Sequence, residues 1–562
     1  LGDVYKRQTN HHSRKQNTTG GEYMKTGKTV KVLLTAATAA GMLAGCGSKT
    51  DTDTFRFASE LDIQGMDSTV VDDGMSYNAI HAITDGLTAL NDKGKTVPAL
   101  AKNWDVSADG KTYTFHLKDA KWSNGDKVTA NDFVYSWKRI IKNAGNYAYM
   151  LGDDGASVKN ASQLIDLGPK ATDEQMNTLG VKATDDKTLV VELNNKVPYF
   201  TDLMAFPCYF PQNEKFVEKC GKNYGTKPEY TLSNGAYTMT KWIKGNKATF
   251  TKNDKYYDAK AVKTKNLEMF LVQDPKTAAQ NFDNGKVDYA TINSTLVDKY
   301  KDKDTFTTFN EGYLFYLQLN FKNNTVANKN VREALAYAIN RKDLCENVLK
   351  DGSKAATGFV PSQLSTSPAG RDFRDDADKY VSYDQKKAQE YLDAAKKELG
   401  TDTITIDLLY GTDESPMDTF AEYLQGSFTK LKGLKVNMVA TVKKDRIYNR
   451  EASGNFQIAC TRWAPDYADP TTFLNVLASS NSNNYGKWEN AQYNSLLKQA
   501  QNETDVNKRW NELLEAEKVM MDDMPNIPVV QTGTAALQAK NVKGLVHNTV
   551  STPYVFKYVT LK

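Results

Sequence analysis

No other stretch of this chain restricts its architecture as tightly as Arg462-Trp463-Ala464-Pro465-Asp466-Tyr467-Ala468-Asp469-Pro470-Thr471-Thr472-Phe473-Leu474. It follows the apolar run 456–459, which reads as a short buried strand, so it reads as the loop leaving that strand's carboxyl end. Open α/β sheets hold ligands in the crevice outside such ends. The loop offers aromatic faces at Trp463 and Tyr467 and acidic groups at Asp466 and Asp469. Its prolines, Pro465 and Pro470, remove backbone freedom before any ligand arrives. This is the chemistry of a preformed pocket for a cation. Asp469-Pro470-Thr471-Thr472 also has the form of a helix start, with Asp469 accepting backbone N–H groups and Pro470 in the first helical position. That assigns Asp469 a local task and leaves Asp466 as the ligand candidate.

The first 45 residues read as a leader. Positions 1–23 are polar and without period, and are expected to lie outside the fold, with Met24 opening a better start signal. Lys25, Lys28 and Lys31 form a basic segment, 32–43 an apolar Ala-rich run, and Leu43-Ala44-Gly45-Cys46 follows. The run is too short to span a bilayer as a helix and fits a secretory signal over 24–45. Its end is similar to a bacterial lipobox, which makes Cys46 the lipidated first residue and 46–54 a polar tether. Residues 1–45 carry seven Lys/Arg and two Asp/Glu, so of the chain's formal +4 the remaining 517 residues hold −1. No concentrated positive face is left for a nucleic acid.

With Cys46 assigned to lipid, Cys208, Cys220, Cys345 and Cys460 are too scattered for a disulfide scaffold; Cys208 with Cys220 is the pair considered for a single bridge. Outside the leader the histidines are His81, His116 and His547, none at metal-ligand spacing, and His116 between Phe115 and Leu117 reads as a strand histidine. There is no nucleophile elbow, phosphate-binding glycine loop or metalloprotease helix. The chain therefore reads as a binding module without catalytic residue, metal or cofactor. Its thirty Tyr and seven Trp are enough to line an apolar cleft as well as cores.

Strand and helix signals alternate along the rest. A strand is expected at 55–63, a helix at 76–83, and a hairpin around the Asp109-Gly110 turn. Thr129 and Asp132 form a capping-box-like start for a helix over 131–141, whose Phe133, Trp137, Ile140 and Ile141 share one face. A second hairpin turns at Lys244-Gly245-Asn246. Beyond Tyr313 the pattern predicts a strand at 313–319, one long helix at 330–349, a strand, helix, strand unit at 403–410, 416–431 and 434–442, and a helix at 509–521.

Gly86-Leu87-Thr88, Val97-Pro98-Ala99-Leu100-Ala101, Trp122-Ser123-Asn124-Gly125 and Thr129-Ala130-Asn131-Asp132-Phe133-Val134-Tyr135-Ser136-Trp137-Lys138-Arg139 resemble the signature block of the extracellular solute-binding proteins of the oligopeptide, dipeptide and nickel class, family 5. Ser233-Asn234-Gly235-Ala236-Tyr237, Asn320, Val331-Arg332-Glu333-Ala334-Leu335-Ala336-Tyr337-Ala338-Ile339-Asn340-Arg341 and the Trp463 to Pro470 motif are similar to family motifs in family order. The resemblance covers essentially the whole chain after the leader.

It implies an α/β, bilobal periplasmic-binding-protein fold, type II and cluster C-like, with an extra subdomain in the first lobe and a ligand cleft between lobes. Lobe I is expected at 55–90 and 233–310, the extra subdomain at 91–232, lobe II at 311–527 and a return to lobe I at 528–562. The crossings are expected near Asn310 and Ile527. The implied function is that of an extracellular, lipid-anchored, monomeric receptor that captures oligopeptides and delivers them to an ABC permease with its ATPase subunits. A single-membrane, Gram-positive bacterium suits the lipid anchor. By this resemblance Asp466 takes the peptide's α-ammonium, and Arg462, Trp463, Ala464, Pro465 and Tyr467 complete the site. In some members an arginine stands a few positions before the motif tryptophan; here Cys460 is three before it and Arg462 immediately before. A dipeptide, a signalling peptide, a haem or a metal chelate are alternative ligands, and a surface adhesin or protein receptor is the alternative from another class.

Overall fold

A computed structural model describes residues 53–91, 95–153, 155–414 and 416–562. The leader, the signal segment, Cys46 and most of the tether lie outside the described residues. The described chain is built on one eleven-stranded sheet. Ten of its strands, numbered in chain order, are β1 (Thr54–Ser59), β2 (Tyr237–Ile243), β3 (Lys247–Lys252), β4 (Asn266–Leu271), β5 (Tyr289–Ile292), β6 (Phe306–Leu319), β7 (Ile404–Gly411), β8 (Leu434–Thr441), β9 (Ile458–Trp463) and β10 (Asn526–Gln538). Across the sheet they lie in the order β8-β7-β9-β6-β10-β5-β1-β4-β3-β2, and a short strand, Lys354–Ala355, joins β10. β1 runs parallel to β4 and β5, and β7 runs parallel to β8 and β9; the other pairings are antiparallel.

The apolar faces divide into two main cores. One gathers Phe55, Phe57, Phe133, Trp137 and Phe250; the other gathers Leu317, Leu335, Ile406, Phe420 and Met520. The first core also takes in a separate four-stranded sheet made of Ala101–Val106, Thr112–Leu117, Thr188–Glu192 and Val181–Asp185. The helix Ala130–Lys142 packs in this core because its apolar residues recur at helical spacing: Phe133, Trp137, Ile140 and Ile141 are all buried. At its start the Thr129 backbone N–H donates to Asp132 Oδ2 at 2.9 Å, the expected capping contact.

Two long neighbouring strands join the cores. β6 pairs with β10 from Phe306↔Leu537 to Asn310↔Gly533, then again from Leu314↔Gln531 to Gln318↔Asn526, with an irregularity between Asn310 and Leu314. Residues 311–313 therefore bulge out, and a bulge bends and twists the strand that carries it. Gly312 makes this possible, since its φ is +83° and a Cβ there would meet Thr549 O at 2.1 Å. The irregularity lies at 310–314 on β6 and 531–533 on β10.

Other expectations are adjusted for identifiable reasons. The helix expected over 330–349 is interrupted: Lys329–Ala338 ends as Ile339 becomes extended, and the chain restarts at Arg341–Asp343 with Asn340 Oδ1 accepting from Asp343 N at 3.1 Å. The cause is Arg341, whose buried guanidinium donates to Pro528 O at 2.8 Å, Ala336 O at 3.0 Å and Ile339 O at 3.3 Å, drawing the chain out of the helix path toward β10. The first strand stops at Ser59 rather than continuing to Ile63. The bridge considered between Cys208 and Cys220 is not formed; both are free thiols, as are Cys345 and Cys460.

Candidate functional site

β9 carries the motif into the site. It is an interior strand of the sheet between β7 and β6, with Phe315↔Arg462 and Leu314↔Trp463 pairing it to β6. The expected strand 456–459 thus shifts to Ile458–Trp463, and Arg462 and Trp463 are strand residues rather than loop residues, because their backbone groups find partners on β6. Beneath them, Arg446 donates to Glu414 Oε2 at 2.8 Å, to Thr461 Oγ1 at 2.8 Å and to Glu451, all almost fully buried. Burial, set against Arg446, pushes the Glu451 carboxyl up to about 7.

After Trp463 the chain turns at Ala464 and the buried Pro465 and folds back on the short helix Thr471–Leu474. Two bonds pin this return. Trp463 Nε1 donates to Thr472 O at 2.8 Å, and the Asp466 backbone N–H donates to Thr472 Oγ1 at 2.9 Å. Trp463 is thereby held as a wall of the site.

The two loop carboxylates have opposite surroundings. Asp469 Oδ1 accepts from Thr471 N at 3.0 Å, Thr471 Oγ1 at 2.6 Å and Arg509 Nη2 at 2.9 Å, while Oδ2 accepts from Arg509 Nη1 at 2.7 Å. Burial alone raises its pKa, but the Arg509 charge and these bonds hold it below the ordinary carboxylate value. Asp469 accepts a backbone N–H at the start of the helix Thr471–Leu474 as expected, but Pro470 takes the N-cap position rather than the first helical one, and an ion pair is added. The Asp466 carboxylate accepts no hydrogen bond and forms no ion pair among the described residues. Desolvation by burial pushes it up to about 7. Its charge is felt by Tyr147, Tyr209 and Cys208 and by Tyr313 on β6, groups already raised in pKa by their own burial.

Tyr467 does not offer a free face. Its ring lies parallel to that of Tyr199, with centroids 3.9 Å apart and planes within 3°. Tyr199 comes from the region expected to form the extra subdomain, so this stack ties the motif loop to that region. Nearby Lys196 Nζ donates to Glu503 O at 3.0 Å across the same boundary. Arg462 lays its guanidinium over the rings of Tyr313 and Phe315, 5.0 and 5.6 Å from their centroids, with Nε 4.0 Å from Glu414 Oε1. Sequence reading did not find Tyr147, Tyr199, Tyr209 or Tyr313, since nothing local distinguishes them from core tyrosines. Among the described residues no group of three or more His, Cys, Asp or Glu is placed to hold a metal ion.

Residues 95–485 match the model of the bacterial extracellular solute-binding proteins, family 5 Middle. Among curated relatives, a dipeptide-binding protein of Lactococcus lactis subsp. cremoris is 35% identical over 502 residues, covering 86% of this chain and 89% of that one. The oligopeptide-binding protein OppA of Bacillus subtilis is 34% identical over 496 residues, covering 85% and 87%. Among solved structures, Listeria monocytogenes OppA bound to peptide superposes with a TM-score of 0.73 at 32% identity, covering 91% of this chain and 100% of that one. The mixed sheet, the two cores and the central crossing strands are accordingly those of a bilobal solute-binding protein. With the match spanning well over half of its length, this chain belongs to family 5 of the bacterial extracellular solute-binding proteins.

Proposed function

We propose that this protein captures oligopeptides outside the cytoplasmic membrane, in the cleft between its lobes, and delivers them to the permease of an ABC importer. The observation that carries the reading is Asp466, a carboxylate pushed up to about 7 that accepts no hydrogen bond among the described residues and whose charge bears on the buried Tyr147 and Tyr313. Such a group gains most from a cation. The α-ammonium of a peptide, with an ordinary pKa of about 7.7–8.0, supplies one in a charge-assisted bond. Trp463, Ala464, Pro465 and Arg462 complete the wall, Tyr467 holds the loop across the cleft, and edge hydrogen bonding to the peptide backbone supplies affinity indifferent to sequence. The names of the relatives, which include oligopeptide and dipeptide binding, support this ligand class. The dipeptide reading is favoured by the Lactococcus relative and differs only in how soon the ligand's carboxylate must be met.

The same reading divides the chain into lobe I at 55–90, 233–310 and 528–562, an extra subdomain at 91–232 and lobe II at 311–527, with Cys46 carrying the lipid that holds a monomer at the membrane. Metabolic labelling with a fatty acid tests the anchor: incorporation must disappear in Cys46→Ser. The ligand is tested by titration calorimetry on a soluble form starting after Cys46, unfolded and refolded to remove bound ligand, with one peptide pool supplied free or N-acetylated. Binding of the free pool alone, lost in Asp466→Ala, supports the reading. Binding of neither pool sinks it.

A further inference from the structure

β2 is an outermost strand of the eleven-stranded sheet, so one of its edges has no neighbouring strand. Among the described residues, no backbone hydrogen bond joins β2 to a segment other than β3 and the turn between them. Beside this strand lies an open groove of about 580 Å³, lined by Lys227, Glu229, Lys241, Trp242 and Lys244 among others.

The charges along the groove are unbalanced. Lys227, Lys241 and Lys244 are exposed and form no ion pair among the described residues, and Glu229 is the only carboxylate in the lining. The excess is local, since the chain after the leader carries a formal −1. Lys244 Nζ lies over the half-buried Trp242 ring, 4.8 Å from its centroid. The turn adds apolar surface. Ile243 is 44% exposed, and Asp62 Oδ2, accepting from Gly245 N at 2.8 Å, brings the 63% exposed Leu61 to the same turn. Exposed aliphatic side chains beside a tryptophan, rimmed by unpaired lysines, suit a lipid interface. The apolar groups enter at headgroup level, while the lysines stay with anionic headgroups.

The patch also lies within reach of a lipid on Cys46. The strand registers carry Thr54 on β1 through Asn266 on β4 and Thr251 on β3 to Thr238 on β2. Ile243 is then three strands across and five residues along, roughly 22 Å away at about 4.8 Å per strand and about 3.4 Å per residue. The eight residue steps from Cys46 to Thr54 extend to at most about 29 Å.

Resting on the lipid anchor at Cys46 proposed above, we infer that the β2 edge, its turn and Leu61 form a membrane-contacting face that lays this end of the sheet on a bilayer of anionic lipids. The anchor makes the contact intramolecular, so a patch that is weak by itself suffices.

The test uses the form starting after Cys46, which keeps every described element and lacks the anchor, in co-sedimentation with vesicles of phosphatidylglycerol or phosphatidylcholine. At about 0.01 M salt, where the screening length is about 30 Å, the protein should sediment with phosphatidylglycerol and little with phosphatidylcholine, and about 1 M salt should weaken the binding strongly. Replacing Lys227, Lys241 and Lys244 together by Gln should weaken partition roughly a hundredfold, about fivefold per lysine. Ile243→Ser should weaken it about tenfold. Peptide affinity should be unchanged in both, and single Lys→Gln variants keep the test readable if the triple one does not fold. No sedimentation with phosphatidylglycerol, or sedimentation that the lysine variants retain in full, overturns the membrane face and leaves the peptide reading intact. Capture by immobilised polyphosphate without binding to vesicles assigns the lysines to a soluble polyanion and overturns it too. Vesicle binding lost in the lysine variants, with no fatty-acid label at Cys46, supports the face and overturns the anchor.

Discussion

Asp469 and Asp466 stand three residues apart on one loop, yet the first accepts four hydrogen bonds, two of them from Arg509, and the second accepts none from a described residue. Asp469 is buried and Asp466 half-buried, so what separates them most is their partners. At Asp469 the protein supplies its own cation and the carboxylate becomes part of the scaffold. At Asp466 no described residue supplies a cation or a hydrogen bond to the carboxylate, which is held in a state that a cationic ligand improves. A receptor needs both: one end of the loop fixed, so that the other is aimed without being satisfied.

The largest break in this comparison is expected from Arg509→Ala. It strands Asp469 as a buried, unpaired charge, which costs about 3–5 kcal/mol and is measured by chemical denaturation. A loss below about 1 kcal/mol refutes the scaffold role. The pH dependence has a definite sign. Asp469 has a lowered pKa in the folded state, so its contribution is present above the unfolded carboxylate value of about 3.9 and fades as pH falls through the folded value.

At the other end, Asp466→Asn should weaken peptide binding by roughly ten- to a hundredfold in calorimetry. In the absence of peptide it should raise stability at pH 8, because a carboxyl raised to about 7 when folded is stabilised by its proton below the unfolded value and loses that stability as pH rises through about 7. Affinity and stability moving together in this variant contradicts the assignment. Smaller again is the effect of acid on the wild-type protein. Between pH 7.5 and 5.5 a group titrating at about 7 loses most of its charge, so affinity should fall roughly twentyfold, and Asp466→Asn should lack this dependence.

The smallest effect sharpens the comparison rather than breaking it. Tyr199→Leu removes the ring stacked on Tyr467 between the fixed and the free carboxylate, and should weaken peptide affinity about tenfold or less, as expected for an aromatic pair worth about 0.5–1.5 kcal/mol. Stability should change little more than that in the same denaturation assay.

Much of the fold was legible in local patterns. The Thr129 and Asp132 helix start, the turn at Lys244-Gly245-Asn246 and the strand, helix, strand unit ending at Thr441 rest on contacts between residues close in sequence, and the chain adopts them where the pattern placed them. Elements set by distant partners moved. β9 extends to Trp463 because β6 offers backbone partners to Arg462 and Trp463, and the helix after Asn328 stops because Arg341 reaches Pro528 O across to β10.

The sequence by itself determined the family, the capping task of Asp469 and the candidacy of Asp466, since these rest on residue types in fixed order. Only the tertiary structure decided that Asp469 meets Arg509, that Tyr467 is covered by Tyr199, and that the charge of Asp466 bears on Tyr147, Tyr209 and Tyr313. The physical reason is that a carboxylate's pKa and partners depend on distance, burial and charge in space, and residues far apart in the chain leave no local pattern to announce that they will meet.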